Sequence, residues 1–338
     1  MTPRSSPTST GSKHLWPAPL RRGSGFWQQN SMLLVLLLLI AAATLISNGV
    51  FIRPANLITF LYQSSIVGVL AISQTLVILA GGLDLSVAAL TILTAIVMGA
   101  ASTEQQSYLP AVGALPAIGL GLGVAALVGL TNGLFVSRTR IPPFIVTLAM
   151  FLMVSGCSYL ITGGAPIYYP APLFEAFGQA KLLGIPNPVY VWLGLTLVAQ
   201  FLLARTRLGA EIYAVGGNER AALLSGLRVG RVKQLVYVLS SLLAGVAGFL
   251  FLARTGYAIP SAGGDYTMDS IAAVVVGGVS LTGGRGSIKD ALIGVLILAI
   301  LGNLMNILLI SLYIQAAIKG VIILLAVWMN LRVAGQHL

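Results

Sequence analysis

Carboxylates are scarce in this chain, so each one carries information. Eight acidic residues face nineteen basic ones over 338 positions. Asp84 is alone before Glu104 and stands in Gly81-Gly82-Leu83-Asp84-Leu85-Ser86, directly ahead of an apolar run. A carboxylate there either caps the following helix or, at membrane depth, orders the glycine turn beside a solute path. Asn132 and Lys319 pose a similar question from inside apolar runs. The Asn132 amide needs another helix or a permeating polyol as partner. Lys319 pairs with a polar group such as Gln315 one turn away, or lines the path. Phe144 and Thr147, in Arg140-Ile141-Pro142-Pro143-Phe144-Ile145-Val146-Thr147, complete the candidate pathway set, with a proline tolerated in the first helical turn.

The second informative stretch is Gly209 to Lys233, GAEIYAVGGNERAALLSGLRVGRVK, set between two apolar runs. Asn218 is placed to cap a short helix beginning at Glu219-Arg220-Ala221, and Gly226 to stop it in the left-handed conformation. Glu219 complements the positive helix end. Ala221, Leu223 and Leu224 form an apolar surface too small to bury alone, so the helix needs a partner.

Other chemistries find no support. No GxxxxGK[ST] occurs, so the chain has no P-loop for ATP. Both histidines, His14 and His337, lie in the tails, and no HExxH or Ser/His/Asp set can be assembled. The single cysteine, Cys157, excludes an internal disulfide, and its apolar surroundings suggest packing.

The elements that must position these residues follow from composition. With 57% hydrophobic and 8% charged residues, the chain is far from a soluble globule, where about 25% are charged. It reads as an all-α polytopic membrane protein. The net charge of +11 lies in tails and between apolar runs, which fits positive-inside topology and not a nucleic-acid stripe. About ten spans are expected, near 32–50, 57–80, 85–102, 111–136, 143–162, 189–204, 234–253, 270–282, 290–310 and 312–329. Residues 1–30 form a basic, mostly disordered cytoplasmic tail, 31–331 the transmembrane domain and 332–338 a short cytoplasmic tail.

Both termini then fall inside. The largest outside surfaces are 163–188 and 254–269, with Tyr168, Tyr169, Phe174, Glu175 and Asp265 as exposed candidates. The stretches AGGLDLSVAAL at 80–90 and VGGVSLTGGRG at 276–286 form a faint internal repeat. Each is either a tight glycine turn or a break lining a cavity.

Five segments in this order, GGLDLSV at 81–87, RIPPFIVTLAM at 140–150, AVGGNERAALLSGL at 214–227, YTMDSIAAVVVGGVSLTGGRGS at 266–287 and AIKGVIILLAV at 317–327, carry a family resemblance. The chain resembles permease subunits of bacterial ABC importers of the ribose/galactose-type monosaccharide family. The resemblance implies cytoplasmic ATP-binding subunits that consume the ATP, while this chain binds no cofactor and catalyses nothing itself. It also implies a second permease, the same chain or a sister, and an extracytoplasmic sugar-binding protein. Surrounding lipid and a bacterial inner-membrane location follow. Gly216, Gly217, Asn218, Glu219, Arg220, Ala221, Leu224 and Gly226 become the ATPase-coupling residues. Two departures occur at Ala88 and Thr267, where the family pattern has glycine and an acidic residue. A permease for another small polar solute such as an amino acid, or a self-contained sugar carrier, are the competing readings. The paucity of intramembrane carboxylates weighs against the carrier.

Overall fold

The computed structural model describes residues 31–104, 108–168 and 170–335. The tail at 1–30 and Tyr169 therefore lie outside the described residues, as do 336–338. The first helices are α1 (Ser31–Ile46), α2 (Pro54–Leu79), α3 (Val87–Ser102), α4 (Ala114–Arg138) and α5 (Pro143–Thr162). After a short strand β1 (Ile167–Tyr168) come α6 (Pro172–Gln179), the hairpin strands β2 (Lys181–Leu182) and β3 (Ile185–Pro186), and α7 (Asn187–Arg205). Two short helices, α8 (Arg207–Gly217) and α9 (Glu219–Leu224), lead into the long α10 (Val229–Thr255). Strand β4 (Tyr257–Ala258), a 3-10 turn at Pro260–Gly263, α11 (Tyr266–Val276), α12 (Ile288–Ile307) and α13 (Leu312–Gly335) complete the order.

Six of these helices, α2, α4, α5, α7, α10 and α12, are long and apolar enough to cross a membrane. The 270–282 run is not a full span. Its helix starts at Tyr266 and stops at Val276, so at 1.5 Å per residue it covers about 16 Å. Gly277 and Gly278 end it: a Cβ on Gly277 would collide with the Asp290 carbonyl, and Gly278 adopts φ +100.

Small residues explain how the centre closes. On α4, Gly121, Ala125, Gly129 and Gly133 recur every four residues and are all buried, making one flat ridge. A Cβ on Gly129 would lie 2.8 Å from both Ser241 Cβ and Val238 Cα of α10, and one on Gly133 would lie 2.8 Å from Gln234 Cα. From the other side, a Cβ on Gly245 would lie 2.9 Å from Ala125 Cβ. Where lipid removes the hydrophobic drive between helices, such backbone approach is what packing must supply. The same device seats α7 on α2, because the Trp192 ring occupies the space beside Gly68.

The two segments expected outside meet each other. Ile167 pairs with Ala258 and Tyr168 with Tyr257 in an antiparallel ladder. Helix α6 is fixed to α10 through Phe174 and Phe177, whose ring centroids lie 5.7 and 5.0 Å from that of Phe249. Phe174 is fully buried, so it leaves the set of exposed candidates. Cys157 is likewise not packed inside, but exposed on α5.

From the ladder the chain descends beside α3. Ile167 touches the Gly99 position, whereas Gly263 lies against Ile92 and Ala88. Seven α-helical residues separate Gly99 from Ile92, a drop of about 10 Å. The stretch 257–276 is thus one broken element, irregular in its first half and α-helical in its second.

The ridge gives a direct test. Gly129→Leu should force α4 and α10 apart at a typical overpacking cost of about 1–3 kcal/mol or more. A Cβ on Gly123, on the same helix, would meet nothing within 4 Å. Gly129→Leu is expected to cut the yield of monodisperse protein in detergent, with Gly123→Leu close to the parent.

Candidate functional site

Three glycine pairs converge at one end of the bundle: Gly81-Gly82 after α2, Gly216-Gly217 at the end of α8, and Gly283-Gly284 before α12. The Gly284 N–H donates to the Leu79 carbonyl at 3.0 Å. A Cβ on Gly216 would collide with that same carbonyl, and one on Gly284 would lie 2.5 Å from Gly217 Cα. Both halves of the faint repeat therefore touch the segment that leads into α9.

The sequence placed a single helix between the apolar runs, and the structure adds α8 before it. Its signals were present. The Thr206 hydroxyl accepts from Gly209 N at 3.3 Å, and Ile212 and Val215 bury a helical stripe. The Tyr213 hydroxyl donates to the Gly286 carbonyl at 2.8 Å, a second tie to the glycine loop. Burial, with Asp290 adding repulsion, raises the Tyr213 phenol above its ordinary value, so it remains a neutral donor.

Helix α9 forms as its residues dictate. Asn218 Oδ1 accepts from Ala221 N at 2.9 Å. Gly226 has φ +84, and the Leu227 N–H returns to the Ala222 carbonyl at 3.1 Å, a Schellman-like close. Glu219 pairs with Lys233 at 2.7 Å, which orients the helix on α10. Ala222 faces inward, while Leu223 and Leu224 are 61% and 81% exposed. Ala221 and Arg220 are exposed beside them.

Asp84 is not the cap of α3; that position belongs to Ser86. Its Oδ1 accepts from Ser86 N at 2.9 Å and from Ser86 Oγ at 2.6 Å, which closes an Asx turn over the loop. Its Oδ2 accepts from Ser240 Oγ of α10 at 3.0 Å, and Ser73 Oγ of α2 lies 2.7 Å from Ser240 Oγ. Asn132 Nδ2 donates to Ser86 Oγ at 3.0 Å. Gln74 Nε2 donates to the Asp84 carbonyl at 2.6 Å. Thr147 of α5 bridges the backbone, taking Leu85 N and reaching Leu83 O, both at 3.1 Å.

Asp84, Asn132 and Thr147 thus form one buried network, with Ser73, Gln74 and Ser240 as members the sequence reading missed. Their hint was a polar set, Ser73-Gln74-Thr75 and Ser240-Ser241, within otherwise apolar helices. No cationic side chain among the described residues pairs with the carboxylate. The network holds the 83–86 loop against four helices.

The other two pathway candidates lie elsewhere. Phe144, in the first turn of α5, is 49% exposed. Lys319 of α13 pairs with Asp269 of α11, 3.0 and 2.9 Å from its two oxygens. Gln315 is not its partner; it donates instead to Asn306 Oδ1 and the Ile310 carbonyl, both at 2.9 Å.

These features, long apolar helices around glycine-broken segments with a capped helix at one end, define a polytopic transport component. The family model described as the permease component of branched-chain amino acid transport systems matches residues 56–327, and the chain belongs to that family. Ribose import permease protein RbsC of Escherichia coli (strain K12) is 42% identical over 304 residues, covering 89% of this chain and 92% of the relative. RbsC of Bacillus subtilis (strain 168) is 40% identical over 288 residues, 84% and 87% of the two chains. The L-arabinose ABC transporter permease protein AraH of Azospirillum brasilense is 35% identical over 314 residues, 92% and 90%. No solved structure matches the chain.

The Asp84 network predicts a graded response. Asp84→Asn keeps an acceptor for Ser86, whereas Asp84→Ala leaves buried donors unpaired at about 1–3 kcal/mol. Thermal unfolding in detergent should show Asp84→Ala several degrees below the parent, with Asp84→Asn between them.

Proposed function

We propose that this chain is the membrane-spanning permease subunit of an ATP-driven, binding-protein-dependent monosaccharide importer. The observation that carries the reading is α9: a capped helix with two exposed leucines, joined through Gly216 and Gly217 to both glycine loops. A surface helix of this kind fits a groove in a partner, where apolar anchors supply contact and charges set register. Gly216, Gly217, Asn218, Glu219, Arg220, Ala221, Leu224 and Gly226 form the docking element for cytoplasmic ATP-binding subunits. ATP is used there, and this chain binds no cofactor. The relatives named for ribose and arabinose support a sugar as cargo.

The topology has ten crossings: α1, α2, α3, α4, α5, α7, α10, the broken element 257–276, α12 and α13. Arg138, Arg140, Arg205, Arg207, Arg220, Arg228, Arg231, Lys233, Arg285 and Lys289 all flank the glycine-loop end, and basic residues collect on the cytoplasmic side. Both termini then lie in the cytoplasm and the protein resides in the bacterial inner membrane. The β1–β4 end, with Tyr168, Glu175 and Asp265, receives an extracytoplasmic sugar-binding protein. A second permease chain and lipid cover the exposed apolar faces of α5 and α13. Asp84, Asn132 and Thr147 shape the solute path from its wall, with Phe144 and Lys319 beside it.

The family description favours a second reading, import of an amino acid. Uptake by the complete complex separates the two: accumulation of leucine in place of ribose or arabinose would reverse the choice of cargo. For coupling, Leu224→Asp places an unpaired charge in the partner groove, a change costing several kcal/mol once desolvated. Both ATPase copurification and sugar uptake should fall while membrane insertion is unchanged. A variant that keeps both at the parental level would remove α9 from its role.

A further inference from the structure

We propose that the cleft bounded by α2, α11, α12 and α13 is a binding site for an uncharged monosaccharide in transit; this deepens the importer reading and rests on it. The cleft is open on one side and offers about 180 Å³, below the roughly 300–1,000 Å³ of sites for drug-sized ligands, which suits a small solute. Its polar wall is unusual for a chain with so few polar residues in its helices: Gln63, Asn303, Asn306, Gln315, Asp269 and Lys319 all line it. Phe60 adds an aromatic surface. Carboxamides offer a donor and an acceptor side by side, the pairing that vicinal hydroxyls present.

The hydrogen bonds already made leave capacity for a ligand. Gln315 Nε2 spends its two protons on Asn306 Oδ1 and the Ile310 carbonyl. Asn303 is engaged in a reciprocal pair with Asn56 at 2.9 and 3.0 Å. Among the described residues, Asn306 Nδ2, Gln315 Oε1 and the Gln63 side-chain amide have no hydrogen-bond partner, and the three residues border the same space. Those groups are neutral donors and acceptors.

Charge selects the ligand class. Lys319 contacts both Asp269 oxygens within 3.0 Å, so the two charges balance each other in the cleft wall. A zwitterionic amino acid gains Lys319 and Asp269 as full counter-ions only by drawing them away from each other. An uncharged polyol asks for no such exchange.

Gly302 supplies the test. It lines the cleft, and a Cβ built on it meets nothing within 4 Å. Gly302→Leu therefore fills the space without clashing at its root, and it raises helix propensity in α12. In proteoliposomes holding permease, ATPases and binding protein, Gly302→Leu should lower sugar uptake about tenfold or more. Copurification of the ATPases and stimulation of ATP hydrolysis by the binding protein should match the parent, and Gly123→Leu, on α4 outside the cleft lining, should transport normally.

A second measurement separates sugar from a lipid occupant. With Gly302→Cys in a Cys157→Ser background, the transported sugar should slow labelling by a thiol reagent in the assembled complex, and leucine should not. Unimpaired uptake by Gly302→Leu, or labelling indifferent to sugar, overturns the cleft assignment while leaving the importer intact. A parent complex that accumulates leucine and no sugar overturns both.

Discussion

The Leu79 carbonyl is the point on which the architecture turns. It ends α2, accepts from Gly284 N, and is approached so closely by Gly216 that no side chain fits between. In a bilayer a helix end cannot leave carbonyls to hydrocarbon, so α2 needs either water or a donor from another segment. The chain supplies the donor from the loop before α12 and presses the end of α8 against the same atom. One hydrogen bond thereby joins three segments distant in sequence. Crowding requires glycine at Gly216, Gly283 and Gly284, and positive φ favours it at Gly81, Gly283 and Gly284.

Polarity inside the bundle is organised by the same rule of internal satisfaction. Asp84 is fully buried and is met by hydroxyls and a backbone N–H, not by a cation. Lys319 and Asp269 cancel each other's charge. Three acceptors or donors near the first centre, Gln74 Oε1, Asn132 Oδ1 and Ser241 Oγ, are buried without a hydrogen-bond partner among the described residues. Such groups cost stability unless water or a solute reaches them, and all three lie on helices that bound the 83–86 loop. The Gln74 and Asn132 amides thus bind the loop through their nitrogens while their oxygens stay unpaired.

Much of this was legible in the residues. The 143–162 span agrees with its helix to the residue, because Pro142-Pro143 and Gly163 mark both ends with backbone chemistry. The α9 cap and its Gly226 stop were readable for the same reason. What failed was anything set by tertiary contact. Asp84 looked like a cap, since Asp before an apolar run usually is one; only the fold shows that Ser240, 156 positions away, claims its second oxygen. The 270–282 run has the hydropathy of a span, but Gly277 is placed for contact with Asp290, and that contact ends the helix. For Lys319 the sequence offered Gln315 as one partner and a place on the path as the alternative, because it displays residues one turn away and conceals those on other helices, here Asp269.

The distribution of burial separates what can move from what cannot. Helices α2, α3, α4 and α10 share the small-residue contacts and the central core, so a shift of one against another would open voids that cost packing energy. Helix α5 buries few of its residues, and Leu152, Met153 and Leu160 are exposed along it. Helix α13 is anchored chiefly through the Lys319–Asp269 pair and the Gln315 amide. The segment leading into α9 is tied to the stiff part, through Gly216 on the Leu79 carbonyl and the Tyr213 bond to Gly286. Sliding between close-packed backbones is cheapest where no side chains interlock, and the three glycine pairs provide such a surface. The glycines that let these segments touch are the same residues that keep interlocking side chains out of the contact.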